Sequence, residues 1–319
     1  MDRLQGKRVL ITGANGFIGA NLAETLVHRG ADVHALVRPG APLWRLHGIL
    51  PQMRLHQANL LQDEALRETA EKIRPEWIFH FAVRRGSVSQ SERLDTLQTN
   101  VLGLFNLLEA IAPLDYRCFV YAGSSLEYGP RDEPLSEADN LLPKTFFGAT
   151  KAASTIICRQ YAQANKRPIV MLRIFSVYGY WEPPTRLIPT AIMTAFGNGE
   201  MDLTAPGYRR DFVFIEDVVD ACLMAINVED PWGKIINIGS GQQWTNEEAI
   251  EAIQEITGRT IRVRVGSYPA RGSDTSHWVA DIQRARLLLG WEPRHTLHQG
   301  LKKTVAWFRL HQEMYHRQM

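Results

Sequence analysis

Along the first half of the chain, short apolar or β-branched runs alternate with stretches whose apolar positions recur at helical spacing. Arg8 to Thr12, Val33 to Val37, Trp77 to Phe81, Cys118 to Ala122 and Ile169 to Ile174 read as strands. Between them, Leu22, Leu26 and Val27 follow Gly19 at helical spacing, and Leu102, Phe105, Leu108 and Glu109 follow Asn100 in the same way. Such alternation predicts an α/β fold, a doubly wound parallel sheet covered by helices on both faces. After Gly179 the texture changes. Tyr180-Trp181-Glu182-Pro183-Pro184 carries two prolines, and the segments beyond are shorter and less regular, which reads as a crossover into a smaller C-terminal lobe. Within that lobe Thr245 and Glu248 have the spacing of a capping box, opening a helix that Gly258 can end.

Composition narrows the picture by exclusion. The 319 residues are 45% hydrophobic and 22% charged, ordinary for a globular chain with enough length for one large or two unequal domains. Lys and Arg number 36 against 34 Asp and Glu, so no overall field favours nucleic acid or an acidic membrane surface. Cys118, Cys158 and Cys222 lie far apart without metal-ligand spacing, which argues for buried reduced thiols and for no metal site. No segment approaches the ~20 apolar residues of a membrane span, and the N-terminus lacks a signal-peptide pattern. A cytoplasmic protein with a small-molecule partner is expected.

The first chemical motif follows the first strand directly. Gly13-Ala14-Asn15-Gly16-Phe17-Ile18-Gly19 has glycines three residues apart and opens a helix. Gly13 allows the tight turn, Gly16 lets backbone approach a pyrophosphate, and Gly19 lets the helix sit against the strand. Free amides and the helix dipole then favour phosphate charge. This is a Rossmann-like dinucleotide site, expected to occupy residues 1–179, with segments near 211–241 returning to it and residues 180–319 forming mainly the second lobe. The second strand ends Leu36-Val37-Arg38, where an acid that holds a ribose diol is usual. Val37 accepts no such bond. Arg38 can pair with a ribose 2′-phosphate, which leans the expected cofactor toward NADP over NAD, or it can simply be a solvated loop arginine.

Two further segments carry a resemblance. Gly123-Ser124-Ser125-Leu126-Glu127-Tyr128-Gly129 and Phe147-Gly148-Ala149-Thr150-Lys151 are similar to the active-site motifs of the extended short-chain dehydrogenase/reductases that act on nucleotide sugars, the NAD-dependent epimerase/dehydratase family. In that family a Ser or Thr four residues before a Tyr-Gly pair hydrogen-bonds the reacting sugar oxygen, and a YxxxK helix supplies the acid and base. The resemblance therefore implies Ser124, with Ser125 beside it, and Lys151. The tyrosine's place is taken by Phe147. Four-residue spacing puts both side chains on one helix face, where an ammonium would lower a phenol's pKa from about 10. Phenylalanine has no proton to give. Three explanations stay open: a deliberate Tyr-to-Phe exchange of the kind used to trap substrates, a natural variant whose acid/base is Tyr128, Glu127, Lys151 or a water held by Ser124, or a protein that binds without turnover.

The resemblance runs nearly the whole chain. It implies that Phe81, Ala82 and Val83 pass the nicotinamide side, that Asn59 and Leu60 lie beside the adenine, and that Asn100 braces the site. Ile174, Ser176 and Val177 fall in a strand-to-lobe motif, followed by Arg186 and Leu187. Arg210 before Asp211-Phe212, and Arg271 before Gly272, correspond to arginines that grip a sugar nucleotide's diphosphate; guanidinium forks suit that charge. Arg84, Arg85, Ser87 and Val88 are expected to border the pocket. Among reactions, reduction of a 4-keto sugar nucleotide is the first expectation, with epimerisation at C4 close behind. Dehydration is weakened because Ser125-Leu126 stands where dehydratases show an Asp-Glu pair. A homodimer is implied too, with Leu104, Phe105 and Ile156 as face residues that are equally good core residues.

Overall fold

The computed structural model describes residues 4–86, 89–197, 199–270, 272 and 274–316. Five strands fall where the hydrophobic runs predict, or within two residues of it: β1 (Arg8–Thr12), β2 (Asp32–Val37), β4 (Trp77–His80), β5 (Cys118–Ser124) and β6 (Ile169–Ile174). A short strand that the pattern does not announce, β3 (Arg54–Gln57), pairs with β2 at the sheet edge. Its side chains are partly or fully exposed, so it carries no apolar run to be read. The strand Lys234–Ile238 returns from the second half of the chain and pairs with β6. All seven strands are parallel, in the spatial order Lys234–Ile238, β6, β5, β4, β1, β2, β3.

The strand order reverses between β1 and β4, and in a doubly wound sheet that is where ligands enter, outside the carboxyl ends of the strands. On these ends lie Gly13, Phe81 and Ser124. The helices α1 (Phe17–His28), α2 (Asp63–Ile73), α3 (Gln90–Leu97), α4 (Gly103–Ile111) and α5 (Phe146–Asn165) complete the first half. A π-helical turn at Gln98–Leu102 joins α3 to α4, and it presents Asn100 inward. Both faces of the sheet are sealed by apolar clusters, one around Val9, Ile11 and Val120, the other around Leu10, Ile78 and Phe119. Cys118, Cys158 and Cys222 are buried free thiols inside this packing.

The remainder builds a lobe of short pieces. Arg209–Arg210 pairs antiparallel with Trp244–Thr245, Phe212–Phe214 pairs parallel with Ser176–Tyr178, and Glu200–Leu203 pairs parallel with Arg262–Val265. The helix Asn246–Thr257 starts at the expected capping box, Thr245 Oγ1 accepting from Glu248 N and Glu248 Oε2 from Thr245 N, and Gly258 ends it. Asp211 fastens the lobe to the sheet: its buried carboxylate accepts from Ser240 N, Gly241 N and Ala280 N. No helix among the described residues is long and apolar enough to cross a membrane.

Candidate active site

Three hollows meet along the carboxyl edge of the sheet. The central one, about 540 Å³, is walled by Gly13, Gly16, Phe17, Ile18 and Gly19 on one side and by Ser124, Ser125, Phe147 and Lys151 on the other. It shares Gly13, Gly16, Phe81 and Val83 with a hollow of about 400 Å³ lined by Asn15, Arg38, Asn59, Leu60 and Ala82. Toward the lobe it shares Ser176, Val177, Arg186 and Arg210 with a smaller hollow that reaches Leu187, Tyr268 and Asp274. Ile174 also lines the centre. The groove thus joins residues from the glycine loop to the lobe in one run.

The glycine loop is suited to a dinucleotide. Gly13 has φ +70°, and a Cβ there would meet the backbone of Ala82 at 2.5 Å. A Cβ at Gly19 would meet the carbonyl oxygen of Gly13 at 2.3 Å, so only glycine lets α1 start this close to β1. Gly16 is the N-cap of α1 and no side chain caps it, which leaves the first amides of the helix for a phosphate. Behind the loop, Thr12 Oγ1 lies 2.6 Å from His80 Nδ1 and also accepts from Ala82 N, tying β1 to the turn after β4. Burial, and then the charge of Lys151, hold His80 neutral, its pKa pushed down to about 3.

On the opposite wall α5 begins at Thr145, whose hydroxyl accepts from Gly148 N. Phe147 and Lys151, one turn apart, both face the groove. The guanidinium of Arg85 lies 4.6 Å from the centre of the Phe147 ring. Lys151 is buried, and its ammonium sits 4.1 Å over the ring of Tyr121. Desolvation pushes its pKa down to about 8, against an opposing pull from Glu127. Ser124 Oγ accepts from Leu126 N, so its own proton remains to be donated. Ser125 Oγ accepts from the indole of Trp278, a contact across 153 residues of sequence.

Glu127 and Tyr128, two of the residues considered as substitutes for the tyrosine, do not line the groove. Glu127 accepts from Ser124 N and from Arg173 Nε, both at 2.8 Å. The Tyr128 hydroxyl donates to Asn237 Oδ1 and accepts from Arg173. Burial raises its pKa above the ordinary phenol range. These groups form a sealed network behind Ser124. Asn100 is likewise a brace and not a wall of the groove: it bonds both backbone groups of Arg84 and the hydroxyl of Thr150 on α5. Arg84 pairs with Asp95 and borders the Arg38 hollow. Arg210 pairs with Asp274, and Arg186 with Glu182. Arg271, Ser87 and Val88 lie outside the described residues. Leu104 is fully buried core, whereas Phe105 and Ile156 are exposed.

Several walls of the groove carry no local sequence signal. Tyr268, Asp274 and Trp278 fall in an irregular stretch. Only tertiary contact reveals them.

The model of the NAD dependent epimerase/dehydratase family matches residues 9–239, and this chain belongs to that family. It is 30% identical to an uncharacterised UDP-glucose epimerase of Bacillus subtilis, over 94% of this chain and 97% of that protein. Among solved structures it resembles the epimerase Mth375 of Methanothermobacter thermautotrophicus, with TM-score 0.89 and 28% identity over 98% of this chain and 95% of that one. It is also similar to the UDP-glucose 4-epimerase of Thermotoga maritima, solved with UDP-glucose, with TM-score 0.86 and 25% identity over 95% and 98%. These relatives favour epimerisation; the 4-keto reduction expected first from the sequence finds no support among them.

Proposed function

We propose that this protein is an NAD-dependent epimerase of a nucleoside-diphosphate sugar, acting at C4 of a UDP-hexose. The reading rests on one observation: Lys151 and Ser124 face the glycine loop across a groove that continues to Arg186 and Arg210. Residues 1–179 and the strand Lys234–Ile238 would carry the dinucleotide, and residues 180–319 mainly the sugar nucleotide. A bound dinucleotide would supply the acceptor and donor of hydride. The amides at Gly16 to Gly19 would hold its pyrophosphate, Asn59 and Leu60 its adenine end, and Phe81, Ala82, Val83, Ile174 and Val177 its nicotinamide end.

Ser124 would donate its proton to the reacting sugar oxygen, and Arg210 would meet the diphosphate, with Ser176 and Leu187 beside the nucleotide. NAD is the cofactor of this reading, because the family is defined by it. Arg38 remains the one feature that would favour NADP, since it borders the Asn59 hollow. We also assign a homodimer, through the exposed apolar side chains Phe105 and Ile156.

The test is conversion of UDP-glucose to UDP-galactose without net change in nicotinamide absorbance. Stoichiometric consumption of reduced cofactor would instead establish a reductase. The second reading, binding without turnover, is favoured by Phe147 alone; tight binding of UDP-glucose with no product at any pH would establish it.

A further inference from the structure

We infer that Lys151 itself is the proton carrier of this site, taking the part that a tyrosine at position 147 would play. The inference rests on the nucleotide-sugar reading above and adds the identity of the acid and base to it.

Epimerisation through a keto sugar needs a group that touches the substrate and can hold or release one proton near neutral pH. Among the described residues that line the central hollow there is no carboxylate, no histidine and no tyrosine. The groups with exchangeable protons are Ser124, Ser125, Ser176, Lys151, Arg85, Arg186, Arg210 and the indole of Trp278, whose N–H is spent on Ser125 Oγ. Guanidinium groups do not deprotonate, with pKa values above about 12. Serine hydroxyls donate hydrogen bonds but do not ionise in this range, and Ser125 already accepts from Trp278. Glu127, Tyr128 and His80, which titrate elsewhere, are fully buried outside the hollow and engaged with Arg173, Asn237 and Thr12. Lys151 is left.

Its position suits the task. One helical turn after Phe147, it opens on the same hollow as the ring, and its ammonium sits over the face of Tyr121. The groups that act on it from the packed elements are Glu127 after β5, Cys158 on α5 and Arg85 after β4, while its own charge bears on His80. Burial moves its titration to about pH 8, where amine and ammonium are both populated.

In the outward half of the reaction the neutral Nζ accepts the hydroxyl proton of the sugar carbon, whose C–H electron pair departs as hydride to the dinucleotide. In the return half, once the keto sugar has turned its other face to the bound dinucleotide, the ammonium would give that proton back to the carbonyl oxygen as hydride returns to that opposite face of the carbon. No atom is gained or lost, and Ser124 holds the same sugar oxygen throughout.

Chemical rescue separates this role from simple cofactor holding. Lys151→Ala in the full chain is expected to lose about 10²-fold or more in UDP-glucose epimerisation. Primary alkylamines should restore turnover in proportion to their free-base fraction, with the restored rate rising with amine basicity, and without changing NAD affinity measured by calorimetry. In the unmodified protein, NMR of lysines labelled with ¹³C at Cε should show one side chain titrating near pH 8, absent in Lys151→Met. Turnover of Lys151→Ala within about tenfold of wild type, or rescue indifferent to amine basicity, overturns the inference. Binding of UDP-glucose by the wild type with no turnover between about pH 6 and 10 overturns it as well. Absence of any UDP-glucose binding is the distinct result that sinks the nucleotide-sugar reading itself.

Discussion

The guanidinium carbon of Arg85 lies 4.6 Å from the centre of the Phe147 ring, so a fixed positive charge covers the side chain that stands where the family's tyrosine is expected. The same arginine depresses the Lys151 titration. Replacing it by the neutral Arg85→Gln removes a like charge from the neighbourhood of the ammonium. The Lys151 midpoint is then expected to rise by a few tenths of a unit above its value of about 8, and NMR titration would measure it. An unchanged or lowered midpoint would show that Arg85 does not act on Lys151.

Phe147→Tyr adds one oxygen to a ring that already borders the groove. A phenol one turn from Lys151 supplies a second proton carrier, so turnover should rise by about 10- to 100-fold, and its acid limb should move to lower pH. A pH–rate profile of both forms decides this. Equal profiles would mean that the position has no part in proton transfer.

Burying the Lys151 charge costs stability, and the sign follows from its lowered pKa. Below about pH 8 both folded and unfolded chains hold the proton and the whole cost is present; between about 8 and 10.5 only the unfolded chain holds it, so stability rises with pH. Lys151→Met should therefore be more stable than the wild type at pH 7, by about 1–3 kcal/mol, with the advantage vanishing above pH ~10. Urea unfolding at the two pH values measures the difference. A Met variant less stable at pH 7 would contradict the burial argument.

Glu127 and Arg173 form an ion pair whose side chains are 0% and 3% exposed. Glu127→Ala leaves a buried guanidinium with the Tyr128 hydroxyl and no counter-charge. A loss of about 3–5 kcal/mol is expected in denaturant unfolding, together with weaker binding at Ser124, whose amide loses its acceptor. A loss under about 1 kcal/mol would show that the network is solvated.

Gly13→Ala asks a side chain to occupy backbone at φ +70° and 2.5 Å from Ala82 N. The turn must open, and NAD affinity should fall by at least about tenfold while the far end of the lobe, probed by UDP binding, is spared. Calorimetry with each ligand separates the two.

The hydrophobic pattern was informative wherever a strand is buried on both faces, since such a run has no polar positions to confuse it; β1, β5 and β6 show this in Val9, Phe119 and Val170. It was silent for β3, whose residues are half wet, and for the strands of the lobe, which are two to four residues long. The glycine loop was legible because its spacing is a steric requirement of backbone approaching backbone, and that requirement is local. Ser124, Lys151 and Phe147 were legible through their motifs. The partners that Asn100 takes, Arg84 and Thr150, are ones that no spacing could have named.

The amino-acid sequence by itself determined the sheet's central strands, the phosphate-ready turn and the absence of a tyrosine at 147, because periodicity, glycine sterics and residue identity are properties of short stretches. Only the tertiary structure decided which titratable groups reach the groove. Glu127 and Tyr128 follow Ser124 by three and four residues yet are drawn away by Arg173 and Asn237, while Trp278 arrives from a distant segment. Desolvation and charge act through space, so a side chain's chemistry is set by whatever the fold packs around it.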